Sequence, residues 1–236
     1  MSEKMLTRLN STESLTASPS AVLFVQSSGI GEAGLFGERE TQSLVRVASD
    51  NAALFLYSVS DISTGADQGR EIVGGIVRGT VGGILAELEM SKVRQLTVCA
   101  VGSSASQMAV ELFLAAPMLV RRLLLNGFVA KQPLSGFAAA IDWLDMKLPL
   151  GLPLLPRREG EDWRSLLHAV TCPVFLFAVA GMTEQASKEL SFARQRIPSA
   201  RVVKVGDLSD AELGALFAEV LAAPWKQPQR KKVAAG

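Results

Sequence analysis

Strand-like apolar runs alternate with helix-like segments along most of this 236-residue chain. The runs are short and rich in Val, Leu and Phe, and they fall at 21–26, 53–58, 95–101, 122–126, 173–179 and 201–205. Segments in which apolar residues have helical spacing lie at 38–48, 69–90, 107–115, 188–196 and 210–221. Continuous apolar runs are typical of strands that are buried on both faces. The order predicts an α/β fold with a mostly parallel sheet and helices on both faces.

The alternation of predicted strands and helices is interrupted between residues 128 and 167. An amphipathic segment at 137–147 precedes a Leu- and Pro-rich run at 148–156, which cannot form a regular helix or a central strand. We expect 128–167 to be a lid inserted into one core made of 19–127 and 168–225. A polar N-terminal segment, 1–18, is expected to be flexible, and 226–236 reads as a solvated basic tail. The Leu/Pro run fits either a lid over an apolar pocket or an exposed contact surface.

Charge and cysteine content narrow the class of protein. The net charge of +1, from 24 Lys and Arg against 23 Asp and Glu, does not favour nucleic acid as a partner. Cys99 and Cys172 lie in or beside apolar runs, which indicates buried thiols in a reducing compartment rather than a disulfide or a metal site. Arg78 and Glu87 interrupt the apolar stretch at 72–88, and no signal sequence is recognisable. We therefore expect a cytoplasmic protein without a membrane span.

A run of small residues follows the third predicted strand. Residues 102–106 read Gly-Ser-Ser-Ala-Ser and precede a predicted helix. This small-x-Ser-x-small pattern is that of a nucleophile elbow, in which a sharp turn between strand and helix needs small residues beside the serine. Ser106 stands where a second glycine is usual. Ser104 is thus the candidate nucleophile, and an ordinary strand-to-helix loop is the alternative.

The order of these motifs resembles the α/β-hydrolase family over roughly residues 19–224. The likeness is to the branch that cleaves carbon–carbon bonds in ring-fission products, whose first loop typically reads His-Gly-x-Gly-Pro-Gly-x-x-Gly. Here Gly29, Gly31 and Gly34 keep the register of the loop, but the His-Gly pair is absent. The same glycines also fit a dinucleotide-binding turn. The short-chain dehydrogenases that use such a turn need a Tyr-x-x-x-Lys pair. The only tyrosine here, Tyr57, has Asp61 instead of a lysine four residues further on, so we expect no cofactor.

The resemblance implies roles for several residues. Glu184, in the sequence Gly-Met-Thr-Glu, takes the place of the triad acid, while the triad histidine belongs in the loop at 206–210, which contains Asp207 and no histidine. The chain's one histidine, His168, precedes the strand that leads to Glu184, and we expect it to be partly buried and structural. A serine hydroxyl needs an adjacent base in order to attack at neutral pH. The backbone N–H of Ala105, with one near Ser27 or Ser28, would form the oxyanion hole.

Three classes of function remain open. The first is a pseudoenzyme that binds a small apolar acyl or carbonyl ligand, or a protein partner, without turnover. The second is an active enzyme of unusual chemistry, such as a slow hydrolase, isomerase or lyase, in which a carboxylate of Glu184, Asp207 or Asp210 acts as acid or base. The third is a structural subunit or homo-oligomer; glycines at 75, 79 and 83 share one helix face, which fits either tight packing on the sheet or contact with a second copy.

Overall fold

A seven-stranded sheet forms the centre of the molecule. The computed structural model describes residues 6–8, 20–27, 36–50, 52–59, 81–128, 166–206 and 208–222. The strands are β1 (Thr7–Arg8), β2 (Ser20–Ser27), β3 (Ala53–Val59), β4 (Gln95–Val101), β5 (Val120–Asn126), β6 (Val174–Ala178) and β7 (Ala200–Lys204). Their order across the sheet is β1-β3-β2-β4-β5-β6-β7. All neighbouring pairs are parallel except β1 with β3, so the prediction of a mostly parallel sheet is confirmed.

The first strand lies in the segment for which the sequence predicts no regular structure. Thr7 pairs with Leu56 and Arg8 pairs with Phe55 in antiparallel register. The N–H of Leu6 donates to the Glu87 carboxylate at 3.0 Å, and the Leu6 side chain is buried. The sequence did not predict this strand, because two residues are too short to produce a recognisable apolar period. The flexibility of 1–18 stays a prediction.

Five helices flank the sheet in the described part of the chain. They are α1 (Glu38–Ser49), α2 (residues 81–90), α3 (Ser103–Ala115), α4 (Glu184–Arg196) and α5 (Asp210–Ala222). Two of them begin four residues earlier than the sequence predicts, since α3 was expected from 107 and α4 from 188. The first turns of both are small or polar and carry no apolar stripe, and α4 is started by the Thr183 hydroxyl, which accepts the N–H of Ala186 at 3.2 Å.

The helices divide between the two faces of the sheet, as expected. One apolar core contains the side chains of α2, α3 and α4 that pack on the sheet, among them Ile84, Met108 and Ala193. The other core joins α1 and α5 to the opposite face, through Leu44 and Phe217. Residues 69–80 of the predicted second helix and 129–165 of the predicted lid lie outside the described residues. No helix within the described ranges is both long and apolar enough to cross a membrane.

Both cysteines are buried free thiols, as the sequence indicates. Desolvation by burial raises the pKa of Cys172 to about 12. Burial also raises the pKa of Cys99, while the positive charge of Arg122 acts in the opposite direction. A thiol whose pKa is raised by folding stabilises the native state below its ordinary pKa near 8.5, and this contribution is lost as the pH rises toward the folded value.

We expect the free energy of unfolding to fall in alkaline solution because of these thiols. Between pH 7.5 and 9.5, Cys172 alone contributes a loss of about 1.4 kcal/mol, since the unfolded thiol ionises and the folded one does not. Urea unfolding at the two pH values, compared for the wild type and Cys172→Ala, isolates this contribution. An equal pH dependence in both proteins would contradict it.

Candidate functional site

The carboxyl ends of β4, β5 and β6 meet at one edge of the sheet. Val101 pairs with Asn126, and Asn126 pairs with Phe177, so the segments that leave these strands start side by side. Ligand sites of open α/β sheets lie at this edge. The carboxyl edge is therefore the candidate functional site.

The turn between β4 and α3 has its unusual backbone at Gly102. Gly102 has φ 101° and ψ 163°, a region that is essentially restricted to glycine. Its N–H donates to the Asn126 carbonyl at 2.9 Å, and its own carbonyl accepts the N–H of Ser106 at 2.9 Å. Of the described non-glycine residues, only Lys92 has a positive φ. The strained position is thus two residues before Ser104, which lies in the first turn of α3.

The first turn of α3 presents backbone donors at the carboxyl edge. The opening N–H groups of a helix have no partner within the helix, and here they belong to Ser103, Ser104 and Ala105. The side chains of Ser103 and Ser104 are half-buried, and Ala105 is fully buried. Aligned peptide dipoles add a partial positive charge at this helix end. Ser27 ends the neighbouring strand β2, in register with Val59, while Ser28 and Asp207 lie outside the described residues.

Asn126 connects three segments at this edge and was not predicted from the sequence. Its side-chain oxygen accepts the N–H of Phe36 at 2.6 Å, and its amide nitrogen donates to the Phe177 carbonyl at 3.4 Å. Its backbone carbonyl accepts Gly102 N–H and, at 3.3 Å, the Ser106 hydroxyl. The residue is only 1% exposed. The available signal was a polar residue that ends an apolar strand just before a glycine.

Three phenylalanines pack beside Asn126 on the face of α1 and α5. The ring centroids of Phe36 and Phe177 are 5.0 Å apart, those of Phe177 and Phe217 are 5.8 Å apart, and those of Phe36 and Phe217 are 5.9 Å apart. Tilted and edge-on pairs at these distances are favourable for aromatic rings. Together with the hydrogen bond from its N–H to Asn126, this packing fixes Phe36, the residue just before α1, against the carboxyl edge.

Comparison with known proteins identifies the fold. No protein-family model matches the chain, and no curated protein sequence matches it. Among solved structures, the chain is similar to a lipase-esterase related protein from Clostridium acetobutylicum, at 12% identity and a TM-score of 0.57, over 92% of this chain and 97% of that one. It is similar to MenH from S. aureus at 10% identity and a TM-score of 0.57, over 93% and 97% of the two chains. The metagenomic α/β hydrolase MGS-M2 gives 15% identity and a TM-score of 0.56, over 89% and 92%.

The chain has the α/β-hydrolase fold. The resemblance drawn from its motif order is confirmed at the level of the fold. Identities this low do not extend the likeness to a branch or an activity, so the likeness to carbon–carbon bond hydrolases stays a prediction.

Glu184, which the α/β-hydrolase resemblance implies to be the acid, is the first residue of α4. Its side chain is 84% exposed, and its carboxylate contacts the ammonium group of Lys188 at 2.7 Å, one helical turn further on. A carboxylate at a helix N-terminus also interacts favourably with the helix dipole. In this arrangement Glu184 has the contacts of a solvated surface residue, and its assignment as an acid stays a prediction.

Replacing Glu184 by glutamine is expected to have little effect on stability. Because the pair with Lys188 is exposed, the free energy of unfolding should change by less than about 0.5 kcal/mol. Urea unfolding measures it, with Lys188→Gln as the matched control that removes the other partner. A loss above about 1 kcal/mol for Glu184→Gln alone would mean that the carboxylate has a buried partner.

The loop before α5, where a triad histidine would stand in this fold, is occupied by helix capping. The Ser209 N–H and hydroxyl both donate to the Glu212 carboxylate, at 2.8 and 2.6 Å, and these hydrogen bonds lower the pKa of Glu212. Asp210 pairs with Arg39 at 3.0 Å, and the Arg39 guanidinium also donates to the carbonyl of Leu208. The polar groups described in this loop therefore cap α5 and join it to α1.

His168 lies away from the carboxyl edge. It is exposed, in a short 3-10 turn (Leu167–Ala169) that precedes β6, so the expectation of a partly buried histidine is wrong. The turn is followed by a buried segment that leads into the start of the strand, and this places His168 toward the amino edge. A strand of seven residues such as β4 separates the two edges by about 20 Å. Among the described residues, no group of three His, Cys, Asp or Glu side chains could hold a metal ion.

Proposed function

We propose that this chain is a catalytically degenerate α/β-hydrolase-fold protein that binds a small apolar acyl or carbonyl ligand at its carboxyl edge. The observation that supports this most directly is the position of its one histidine, which is not in the loop before α5 but in the turn before β6. Without an imidazole in that loop, the Ser104 hydroxyl lacks the base that takes the serine's proton in a Ser-His-acid triad. In a serine protease, loss of the triad histidine lowers kcat by about a millionfold.

The capacity to bind survives such a loss, because it depends on the backbone. The N–H of Ala105 in the first turn of α3 is directed by the fold rather than by a side chain, and a donor near Ser27 or Ser28 would complete a pair. Two such donors and a helix dipole suit a carbonyl or carboxylate oxygen. The Ala105 side chain belongs to the buried apolar core, so apolar side chains lie on the core side of these donors.

An enzyme that uses a carboxylate as base is less well supported. Glu184 is exposed and paired with Lys188, and Asp210 is paired with Arg39. Both side chains are exposed, whereas a carboxylate that acts as a general base near pH 7 usually lies in a water-excluded site.

Ligand titration followed by amide chemical shifts tests the proposal. We expect butyrate and ethyl butyrate to give saturable shifts at residues 103–106, because their oxygen accepts the N–H groups of the first turn of α3. Ser104→Leu should weaken binding by filling the space beside these donors, whereas Ser187→Leu, on the exposed side of α4, should not. Shifts that are absent, or that lie only elsewhere, would contradict the proposed site.

A further inference from the structure

A groove with a volume of about 490 Å³ opens near the amino edge of the sheet, away from Gly102 and Ser104. It lies between the end of α2, the segment before β4 and the segment before β5. The apolar part of its lining is Leu85, Val93, Ala116 and Leu119. Three of these, Leu85, Val93 and Leu119, also pack against the buried core and are thereby held in place. The volume is in the usual range for small-molecule sites, about 300–1,000 Å³.

Two exposed methionines are sequence neighbours of residues that line the groove. Met90 is 75% exposed and Met118 is 64% exposed, which makes them the most exposed large apolar side chains among the described residues. Met90 follows Glu89 in the sequence, and Met118 lies between Ala116 and Leu119. Glu89, Ala116 and Leu119 all line the groove. Exposed methionines are typical of adaptable surfaces that bind apolar partners.

The polar part of the lining carries one net positive charge. The charged residues of the lining are Lys92, Arg94 and Glu89, which are two cations and one carboxylate. None of the three forms an ion pair with another described residue. Lys92 has φ 58°, a left-handed conformation at the end of α2 that glycine adopts at lower cost, and its N–H donates to the Glu89 carbonyl at 2.9 Å. A lysine is therefore present at a position where backbone conformation alone favours glycine.

We propose that this groove binds a single-chain amphiphile with one anionic head group. The chain packs against Leu85, Val93 and Leu119, and the head group lies between the side chains of Lys92 and Arg94. One negative charge neutralises the net charge of the lining, and the apolar floor excludes a purely inorganic anion as the preferred ligand. This site is separate from the carboxyl edge, so it does not depend on the function proposed above.

Titration of the full chain with octanoate tests this inference, again by amide chemical shifts. We expect saturable shifts at residues 92–95 and at Ala116, Met118 and Leu119. Effects from 1-octanol and octylamine, which carry the same chain without the negative charge, should be weaker. Lys92→Glu combined with Arg94→Glu should weaken octanoate binding by about tenfold or more. The matched control reverses two exposed charges on the edge strand, Arg201→Glu with Lys204→Glu, and should leave binding unchanged.

Three results would overturn the inference. They are the absence of saturable shifts at these residues, equal binding of octylamine and octanoate, and equal loss of binding in the two charge-reversed proteins. Shifts at residues 103–106 with none near Lys92 would count against this groove while favouring the carboxyl edge, so the two proposals fail separately. Each variant is checked by circular dichroism, so that loss of the fold is not read as loss of the site.

Discussion

Replacing Asn126 by leucine should lower the free energy of unfolding by about 3 kcal/mol. Leucine is close in size to asparagine but provides neither of the side-chain hydrogen bonds, so the Phe36 N–H and the Phe177 carbonyl lose this partner in a buried place. The backbone carbonyl of residue 126 would still accept the N–H of Gly102. The loss should therefore loosen the segment before α1 more than the turn before α3. Urea unfolding gives the free energy, and amide hydrogen exchange at Phe36 reports the local effect.

Ser106→Ala is the matched control for this substitution. It removes the 3.3 Å hydrogen bond from the Ser106 hydroxyl to the backbone carbonyl of Asn126. The hydrogen bond from the Gly102 N–H to that carbonyl stays in place. We expect it to cost about 1 kcal/mol. If Asn126→Leu lowered the free energy of unfolding by no more than this control, the side-chain hydrogen bonds of Asn126 would not be important for the stability of the carboxyl edge.

Replacing Phe177 by alanine should lower the free energy of unfolding by about 4 kcal/mol. The side chain is fully buried, and its removal leaves a cavity between α5 and the sheet, as well as the loss of ring contacts with Phe36 and Phe217. A double-mutant cycle with Phe36→Ala should give a coupling of about 1 kcal/mol, because the two rings are in contact.

Leu176→Ala provides the control for that cycle. Leu176 is equally buried and adjacent in the same strand, but it packs in the core on the opposite face of the sheet. Its own loss is expected to be similar, about 2–5 kcal/mol, with coupling to Phe36→Ala below about 0.3 kcal/mol. Equal coupling for Leu176 and Phe177 would show that Phe36 is not held by the aromatic cluster.

The sheet was predictable from the sequence because its central strands, such as β4, are buried on both faces. Runs such as 95–101 contain almost no polar residue, and their bounds agree with the structure to within one or two residues. The starts of α3 and α4 were not predictable in the same way, because the first turns of both helices contain only small or polar residues and carry no apolar period. The strand Thr7–Arg8 forms by pairing with β3, and no pattern in the local sequence predicts this pairing.

The candidate site was predictable in part. The small residues at 102–106 predicted a junction between a strand and a helix, and the structure has that junction at Gly102, although 103–106 already belong to α3. The nucleophile elbow itself stays a prediction. The unusual backbone conformation lies at Gly102, whose N–H donates to the Asn126 carbonyl, and this contact between two strand ends could not be predicted from the sequence. The role of Asn126 depends on contacts with Phe36 and Phe177, which are 90 and 51 residues away in the chain. Such a network is a property of the tertiary structure.

Labelling with a fluorophosphonate is the most direct test of whether the serine is activated. The reagent reacts with a serine hydroxyl only when a neighbouring base has made it nucleophilic. We expect the wild type to label no faster than Ser104→Ala, under conditions in which an active serine esterase labels completely. Labelling of the wild type at the rate of that esterase, abolished in Ser104→Ala, would contradict the proposal that this α/β-hydrolase fold binds its ligand without catalysis.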